Sequence, residues 1–228
     1  MRQRRSSMVT FATIEAAAQA RHGREGVEAR LPVPKSAVEL RAMPDDRCLS
    51  LMSLRIFRAG LKHDLVDRKW PAFEEVFHGF APARCATLFD EDIEAMLEDR
   101  RLIRHLAKLR AVRANAVAML ALERERGAFG AWLADWPVDD IVGLWMVLAK
   151  RFSQLGGNSA PAFLRMAGKD TFLLTDGVTR ALLHWRMVDA VPRTRADRAA
   201  VQQLFNRWAA ESGRPLCQLS QILALSAD

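Results

Sequence analysis

The stretch that decides the fold spans residues 150–185 and reads KRFSQLGGNSAPAFLRMAGKDTFLLTDGVTRALLHW. Its first helix is expected to end near Phe152, after which Gly156 and Gly157 allow backbone angles that are closed to other residues. Two helices joined by so tight a turn form a helical hairpin, which we predict over residues 139–168. A glycine pair alone also fits an ordinary turn between helices, so the functional interpretation depends on what surrounds it.

The turn of this hairpin has the chemistry of an anion site. Its exposed amides precede the second helix, whose N-terminus carries a partial positive charge. Leu155 would plug the turn with an apolar side chain, and Asn158 or Ser159 would cap the second helix. A DNA phosphate would fit there without base specificity. The predicted DNA-binding residues are Lys150, Arg151, Gly156, Gly157, Asn158 and Ser159.

A single carboxylate follows the hairpin at the start of another helix. Asp176 precedes an apolar face that includes Val178 and Leu182. Its ordinary role would be an N-cap, while the helix dipole would also stabilise its negative charge. A fixed anion suits cleavage of an N-glycosidic bond, because the sugar becomes oxocarbenium-like as the base leaves. Asp176 is therefore the candidate catalytic residue, and the capping and catalytic roles are compatible.

The remainder of the chain shows helical periodicity and no alternation of the strand type. Apolar residues recur at three-to-four spacing from about residue 50, and residues 103–127 form the longest amphipathic stretch, stopped at Gly127. Trp70 and Pro71 indicate a helix start, where proline is favoured. The predicted fold class is all-α, with two helical lobes.

The composition of the chain indicates the class of partner that it binds. The chain has 228 residues, half of them hydrophobic, and a formal net charge of +7, which favours a polyanion such as nucleic acid. No apolar run reaches the length of a membrane span, and the basic start lacks the apolar core of a signal peptide. We therefore expect a cytoplasmic protein without a membrane partner. Residues 1–30 are predicted to be an N-terminal extension with one helix, and residues 31–228 a single helical domain.

The cysteines exclude two further classes. Cys48, Cys85 and Cys217 are far apart in the sequence and belong to no CxxC pair. Such a set is unlike a disulfide framework or a cysteine-rich zinc site. We expect three buried free thiols.

The hairpin and the aspartate together carry a resemblance. LGGNSAPAFLRMAG followed by TFLLTDGVTRAL resembles the signature of the helix-hairpin-helix DNA glycosylase superfamily. The resemblance implies that Asp176 is catalytic, with Arg180 a turn later. Because the spacing to Arg180 is one residue short, Thr175 competes for the position, but threonine cannot supply the charge. The lyases of that superfamily carry a lysine where this chain has Asn158 or Ser159, which implies a monofunctional enzyme that uses water.

A second, longer resemblance covers residues 58–168. FRAGL, WPAFEEVFHGFAP, DEDIEAMLEDRRLIRHLAKLRAVRANA and GAFGAWL are similar to the 3-methyladenine DNA glycosylase I family. This resemblance implies base excision repair of a damaged, in particular an alkylated, base. IRHLAKLRAVRANA is its most specific piece, although it also fits the basic face of a core helix. The zinc ligands of that family are not matched, so we predict no metal and no cofactor.

The base pocket of that family is not reproduced. Its glutamate maps onto Arg55 and its tryptophan onto His63, while its tyrosine has no counterpart because the chain contains no tyrosine. A cation at Arg58 would disfavour a cationic alkylated base. It would instead pair with Asp176 or read the acceptors of an oxidised or deaminated base, and the sequence leaves both open. The candidate base-pocket residues are Phe57, Arg58, His63, Trp70 and Trp145.

Three functions remain open at this point. The first is a monofunctional DNA glycosylase that acts as a monomer on double-stranded DNA containing a damaged base. The alternative is a non-catalytic helix-hairpin-helix DNA-binding protein that kept the fold and lost the pocket. The third is an all-α scaffold with no role in nucleic-acid binding. Trp132 and Trp136 lie on apolar helix faces, and we expect them in the core.

Overall fold

The computed structural model describes residues 9–227, and every regular element in this range is a helix. The predicted all-α class is confirmed. The first eight residues of the predicted N-terminal extension lie outside the described range. No helix within that range is long and apolar enough to cross a membrane.

The α-helices are numbered here in chain order. They are α1 Phe11–His22, α2 Arg24–Glu28, α3 Ala37–Arg41, α4 Asp45–Arg58, α5 His63–Val76, α6 Pro82–Cys85, α7 Asp90–Ala95, α8 Leu106–Arg126, α9 Phe129–Asp135, α10 Ile141–Arg151, α11 Ser159–Ala167, α12 Asp176–His184, α13 Arg195–Ser212 and α14 Leu216–Leu225. Two short 3₁₀ turns, His78–Phe80 and Val138–Asp140, complete the set among the described residues.

The chain folds into two compact units. The terminal unit combines residues 9–34 with residues 170–227, and the central unit comprises residues 35–169. The terminal unit therefore contains α1, α2 and α12 to α14, and the central unit contains α3 to α11. The domain bounds drawn from the sequence stay predictions.

The terminal unit is built around α14. Leu219, Ile222 and Leu223 are fully buried on this helix, which packs against α1, α12 and α13. Its start is held by Asp170, whose carboxylate accepts hydrogen bonds from the amides of Leu216 (2.9 Å) and Cys217 (2.8 Å). A carboxylate at a helix start satisfies amides that have no partner within the helix and opposes the dipole. The start of α14 is thus fixed from within the terminal unit.

The central unit is organised along α8. Leu109, Val112 and Met119 are fully buried on this helix, which packs against α4, α6 and α9. It ends as predicted at Gly127, where φ is +81°, a conformation that glycine adopts without strain. Lys108 lies 7% exposed near its start and donates to the carbonyls of Phe57 (3.2 Å) and Ala59 (2.6 Å). These bonds satisfy carbonyl oxygens at the end of α4.

One helix start differs from the sequence prediction. Pro71 does not open a helix, because α5 begins at His63 and carries the proline in its interior. An internal proline removes one backbone hydrogen bond and normally kinks the helix. Here Val66 and Phe73, on either side of it, are fully buried, so packing holds the helix together across the proline.

Candidate functional site

The turn between α10 and α11 spans residues 152–158. Leu155 is buried at 1% exposure and fills the turn, as predicted. Gly156 and Gly157 are exposed, and a methyl group built on either would meet no atom within 4 Å. Gly157 has φ +59°, a conformation that glycine adopts without strain. Its lack of a side chain also leaves the backbone accessible to solvent. The glycine backbone is therefore open to solvent.

The start of α11 is not capped by a side chain. Its N-cap residue is Asn158, and no side-chain hydrogen bond caps the helix. Within residues 9–227, the amides of Gly156 and Gly157 donate no hydrogen bond. Unsatisfied amides at the positive end of a helix form an anion site. The start of α11 has the geometry to bind a phosphate oxygen.

A buried asparagine fixes this turn from the neighbouring helix. Asn115 on α8 is fully buried, and its side-chain oxygen accepts the amide of Ser153 at 2.6 Å. Its amide nitrogen donates to the carbonyl of the same residue at 3.1 Å. The two bonds imitate backbone pairing and lock the entry to the turn. The sequence interpretation did not assign this role, although an asparagine between the alanines of α8 was a visible signal.

Lys150 and Arg151 are cations at the end of α10, just before the turn that joins α10 to α11. Arg151 forms an ion pair with Glu125 at 2.7 Å, which lowers the pKa of that carboxyl below its ordinary value. Lys150 is exposed. Both residues line a groove of about 550 Å³ that also includes Trp132 and Trp136. The two tryptophans are only partly buried, so their expected place in the core is wrong.

Asp176 lies in the first turn of α12, in the terminal unit, and is exposed. The predicted capping role belongs to its neighbour: the hydroxyl of Thr175 accepts the amide of Val178 at 3.2 Å. Threonine adopts the extended backbone of an N-cap here, with ψ 167°. The carboxylate of Asp176 is therefore not used to close its helix and remains available at a positive helix end.

Three of the candidate pocket aromatics are held by other side chains. Phe57 is fully buried, and Trp145 is 4% exposed. Trp70 is stacked on Phe73 and Phe80, with ring centroids 5.0 Å and 5.3 Å away. Burial and stacking of these rings leave Trp70 the most accessible of the three. They stay predictions as base contacts.

The polar pocket candidates lie where α4 ends and α5 begins. Arg58 makes a bidentate ion pair with Asp67, with distances of 2.9 Å and 2.7 Å. The structure thereby gives Arg58 a carboxylate partner on α5. His63 is exposed as the first residue of α5. Arg55 has a buried Nε without a hydrogen-bond partner, and burial together with Arg58 lowers the pKa of its guanidinium.

The three thiols and two of the lysines, Lys108 and Lys169, are buried in the described chain. Cys48, Cys85 and Cys217 are buried free thiols, as predicted, and burial raises the pKa of the first two to about 12. Lys169 is 3% exposed and donates to the carbonyl of Trp136 at 2.5 Å. Within residues 9–227, no three His, Cys, Asp or Glu side chains come together as metal ligands. The absence of zinc and of other cofactors stays a prediction.

Comparison with known proteins identifies the relatives of the central unit. Residues 40–143 match the family model described as methyladenine glycosylase. A DNA-3-methyladenine glycosylase of Haemophilus influenzae is 42% identical over 67 residues, which cover 29% of this chain and 36% of that protein. The chain thus matches only about a third of the length of this curated relative.

Solved structures extend the likeness beyond the central unit to most of the chain. The 3-methyladenine DNA glycosylase I from Staphylococcus aureus superposes with a TM-score of 0.51 at 22% identity, over 67% of this chain and 91% of that one. The 8-oxoguanine glycosylase/lyase of Methanocaldococcus jannaschii, solved with a 15mer DNA containing 8-oxoguanine, superposes with a TM-score of 0.56 at 16% identity, over 94% of both chains. At these identities the likeness establishes the fold alone.

Residues 40–143 therefore match the methyladenine glycosylases, as the second resemblance predicted, and the described chain shares its helical fold with solved DNA glycosylases.

Proposed function

We propose that this protein is a monofunctional DNA glycosylase that hydrolyses the N-glycosidic bond of a damaged base in double-stranded DNA. The observation that carries the proposal is Asp176, an exposed carboxylate at a helix start whose capping is performed by Thr175. The match of residues 40–143 to the methyladenine glycosylases supports the reaction class. We further propose that it acts as a monomer without a metal or cofactor.

In this proposal the turn between α10 and α11 binds the DNA backbone. The amides of Gly156 and Gly157 and the positive end of α11 receive a phosphate, with Asn158 and Ser159 opening the helix beside it. Lys150 and Arg151 add positive charge one turn before the glycines. These contacts are independent of base sequence, so they position the enzyme and do not select the lesion.

The chemical step requires one carboxylate and one water molecule. As the bond between C1′ and the base nitrogen breaks, its electron pair leaves with the base and the sugar becomes cationic. Asp176 stabilises this cation, and water adds to C1′ while its proton passes to solvent or to the departing base. The proposal uses no amine nucleophile; two of the lysines, Lys108 and Lys169, are buried and donate to backbone carbonyls.

The ion pair of Arg58 and Asp67 at the end of α4 supports an alkylated base as the substrate. Asp67 balances the charge of Arg58, so a cationic alkylated base meets less repulsion there than a free arginine would cause. The curated relative acts on 3-methyladenine by its name, and an alkylated base is our proposed substrate. We propose Arg58 and His63 as the polar contacts to the base.

A second candidate function is favoured by the packed aromatics. Because Phe57 and Trp145 are buried and Trp70 is stacked, a protein with this fold that binds DNA without excising a base fits the same observations. A non-catalytic DNA-binding protein would use the turn between α10 and α11 alone and would make no use of Asp176.

The deciding experiment is a base-release assay. The substrates are methylated genomic DNA and duplexes that carry uracil, hypoxanthine or 8-oxoguanine. We expect the wild-type protein to release a base and Asp176→Asn to lose about 100-fold or more in rate, which is the order expected for removing an electrostatic stabiliser of the transition state. DNA affinity should stay within about twofold of the wild-type value, because residues other than Asp176 contact the DNA backbone in this proposal.

Asp189→Asn is the matched control, since it removes the same charge from an exposed residue of the terminal unit outside any helix. This variant should release base at the wild-type rate. No release by the wild-type protein from any substrate, with DNA binding retained, would establish the non-catalytic function. Release by wild type and Asp176→Asn at equal rates would leave the enzyme and remove Asp176 from its mechanism.

A further inference from the structure

A groove beside the hairpin combines aromatic rings with cations. It has a volume of about 550 Å³ and is lined by parts of α8, α9 and α10. We name it the tryptophan groove after Trp132 and Trp136, which line it together with Arg126, Lys150, Arg151 and Asp135. Volumes of several hundred Å³ are typical of sites that hold one small organic group.

The rings of the tryptophan groove are arranged to receive a flat group. Trp132 and Trp136 lie with centroids 5.7 Å apart at an interplanar angle of 76°, and both are partly exposed. The indole N–H of Trp136 is fixed by the carbonyl of Asp140 at 2.9 Å. Partly exposed aromatic rings that are held in place offer a stacking surface to an unpaired base, whatever its identity.

The charges of the tryptophan groove favour an anion. Its carboxylate, Asp135, is paired with Arg41, and Arg151 is paired with Glu125. Arg126 and Lys150 have no carboxylate within ion-pair distance among the described residues. Arg126 also interacts electrostatically with Glu125, but three cations line the groove against one carboxylate, so the groove is positive.

The position of the tryptophan groove relates it to the proposed DNA contact. Lys150 and Arg151 are the last two residues of α10 and directly precede the turn that presents Gly156 and Gly157. The tryptophan groove therefore borders the turn that we propose as the phosphate contact. Aromatic faces next to positive charges are the combination that binds single-stranded nucleic acid.

We propose that the tryptophan groove is a second nucleic-acid site, which holds an unpaired nucleotide by stacking its base on Trp132 or Trp136 and pairing its phosphate with Arg126 and Lys150. The inference rests on the hairpin contacting DNA and does not require base release. It gives the protein a preference for DNA with an unpaired segment next to the duplex.

The test is the affinity of the full chain for two labelled DNAs, a blunt duplex and the same duplex with a short oligothymidine overhang, measured by fluorescence anisotropy at fixed salt. We expect tighter binding of the overhang DNA by the wild-type protein. Arg126→Gln should lose about fivefold or more of its affinity for the overhang DNA while blunt-duplex affinity stays within about twofold, because the lost contact is made only by the unpaired nucleotide.

Arg124→Gln is the matched control, since Arg124 is exposed on the same helix and does not line the groove. It should keep the wild-type preference. Trp132→Leu should weaken the preference by removing one of the two stacking faces, and thermal unfolding will show whether this variant is folded. Equal affinity of the wild type for both DNAs, or equal losses in Arg126→Gln and Arg124→Gln, would overturn the proposal. Base release is measured separately, so failure of the groove and failure of the proposed enzyme give different results.

Discussion

Two helix starts, those of α11 and α12, show how one local feature serves two chemistries. The start of α12 is closed by its own chain, because the hydroxyl of Thr175 accepts the amide of Val178. The start of α11 follows two exposed glycines and has no side-chain cap. A capped helix start with an aspartate presents a negative group, whereas an uncapped one presents backbone donors. The first suits stabilisation of a cation and the second suits binding of a phosphate.

Asn115 holds the turn before the uncapped start of α11 in place, and its removal should cost the most stability. Asn115→Ala removes both hydrogen bonds to Ser153 and leaves a small buried void. We expect the free energy of unfolding to fall by about 2 kcal/mol, by the cost of lost buried hydrogen bonds. Urea denaturation measures the loss, and DNA affinity of the folded variant should also drop.

The matched control for this change is Ser153→Ala, which keeps the backbone groups that Asn115 binds. It should unfold like the wild-type protein. If Asn115→Ala has unchanged stability and unchanged DNA affinity, the asparagine does not position the turn.

Asn158 at the start of α11 allows the negative charge found at the start of α12 to be introduced there. Asn158→Asp changes one group at the open helix start and adds a negative charge there. DNA affinity should fall by about tenfold, since the carboxylate repels the phosphate, while helix stability is kept or improved. Anisotropy titration and thermal unfolding together separate the two effects. An affinity unchanged by this charge would place the phosphate elsewhere.

The two glycines of the turn differ in backbone conformation, and this difference predicts a difference between variants. Gly157→Ala puts a side chain at φ +59° and should destabilise the protein by about 1 kcal/mol. Gly156 has no positive φ and open surroundings, so Gly156→Ala should leave stability unchanged. Equal unfolding midpoints in urea for both variants would show that the turn adapts to either side chain.

The capped start of α12 should be the least sensitive to substitution. Thr175→Ala removes the hydrogen bond to Val178 and should reduce the free energy of unfolding by roughly 0.5–1 kcal/mol. DNA binding by the hairpin should not change, because the residue belongs to the other unit. Thr175→Ser keeps the hydroxyl and should retain the stability of the wild-type protein. A loss of DNA affinity in Thr175→Ala alone would mean that the closed start also contacts DNA.

The amino-acid sequence by itself determined the helical class, the turn with its Leu155 plug and the glycine stop of α8. Each depends on residues within a few positions of one another, where periodicity and backbone preference decide the outcome. The sequence predicted Asp176 as the N-cap of α12, but the cap is its neighbour Thr175. Aspartate and threonine both favour helix starts, so only the backbone angles assign the cap.

Only the tertiary structure decided the partners of the polar and aromatic side chains. The clamp of Asn115 on Ser153, the pairing of Arg58 with Asp67 and the exposure of Trp132 depend on which helices meet. An aromatic residue on an apolar helix face fits a core and a groove equally well, so periodicity does not separate them. Burial is fixed by the packing of whole helices, and this packing turned Trp132 towards a groove and Trp145 into the core.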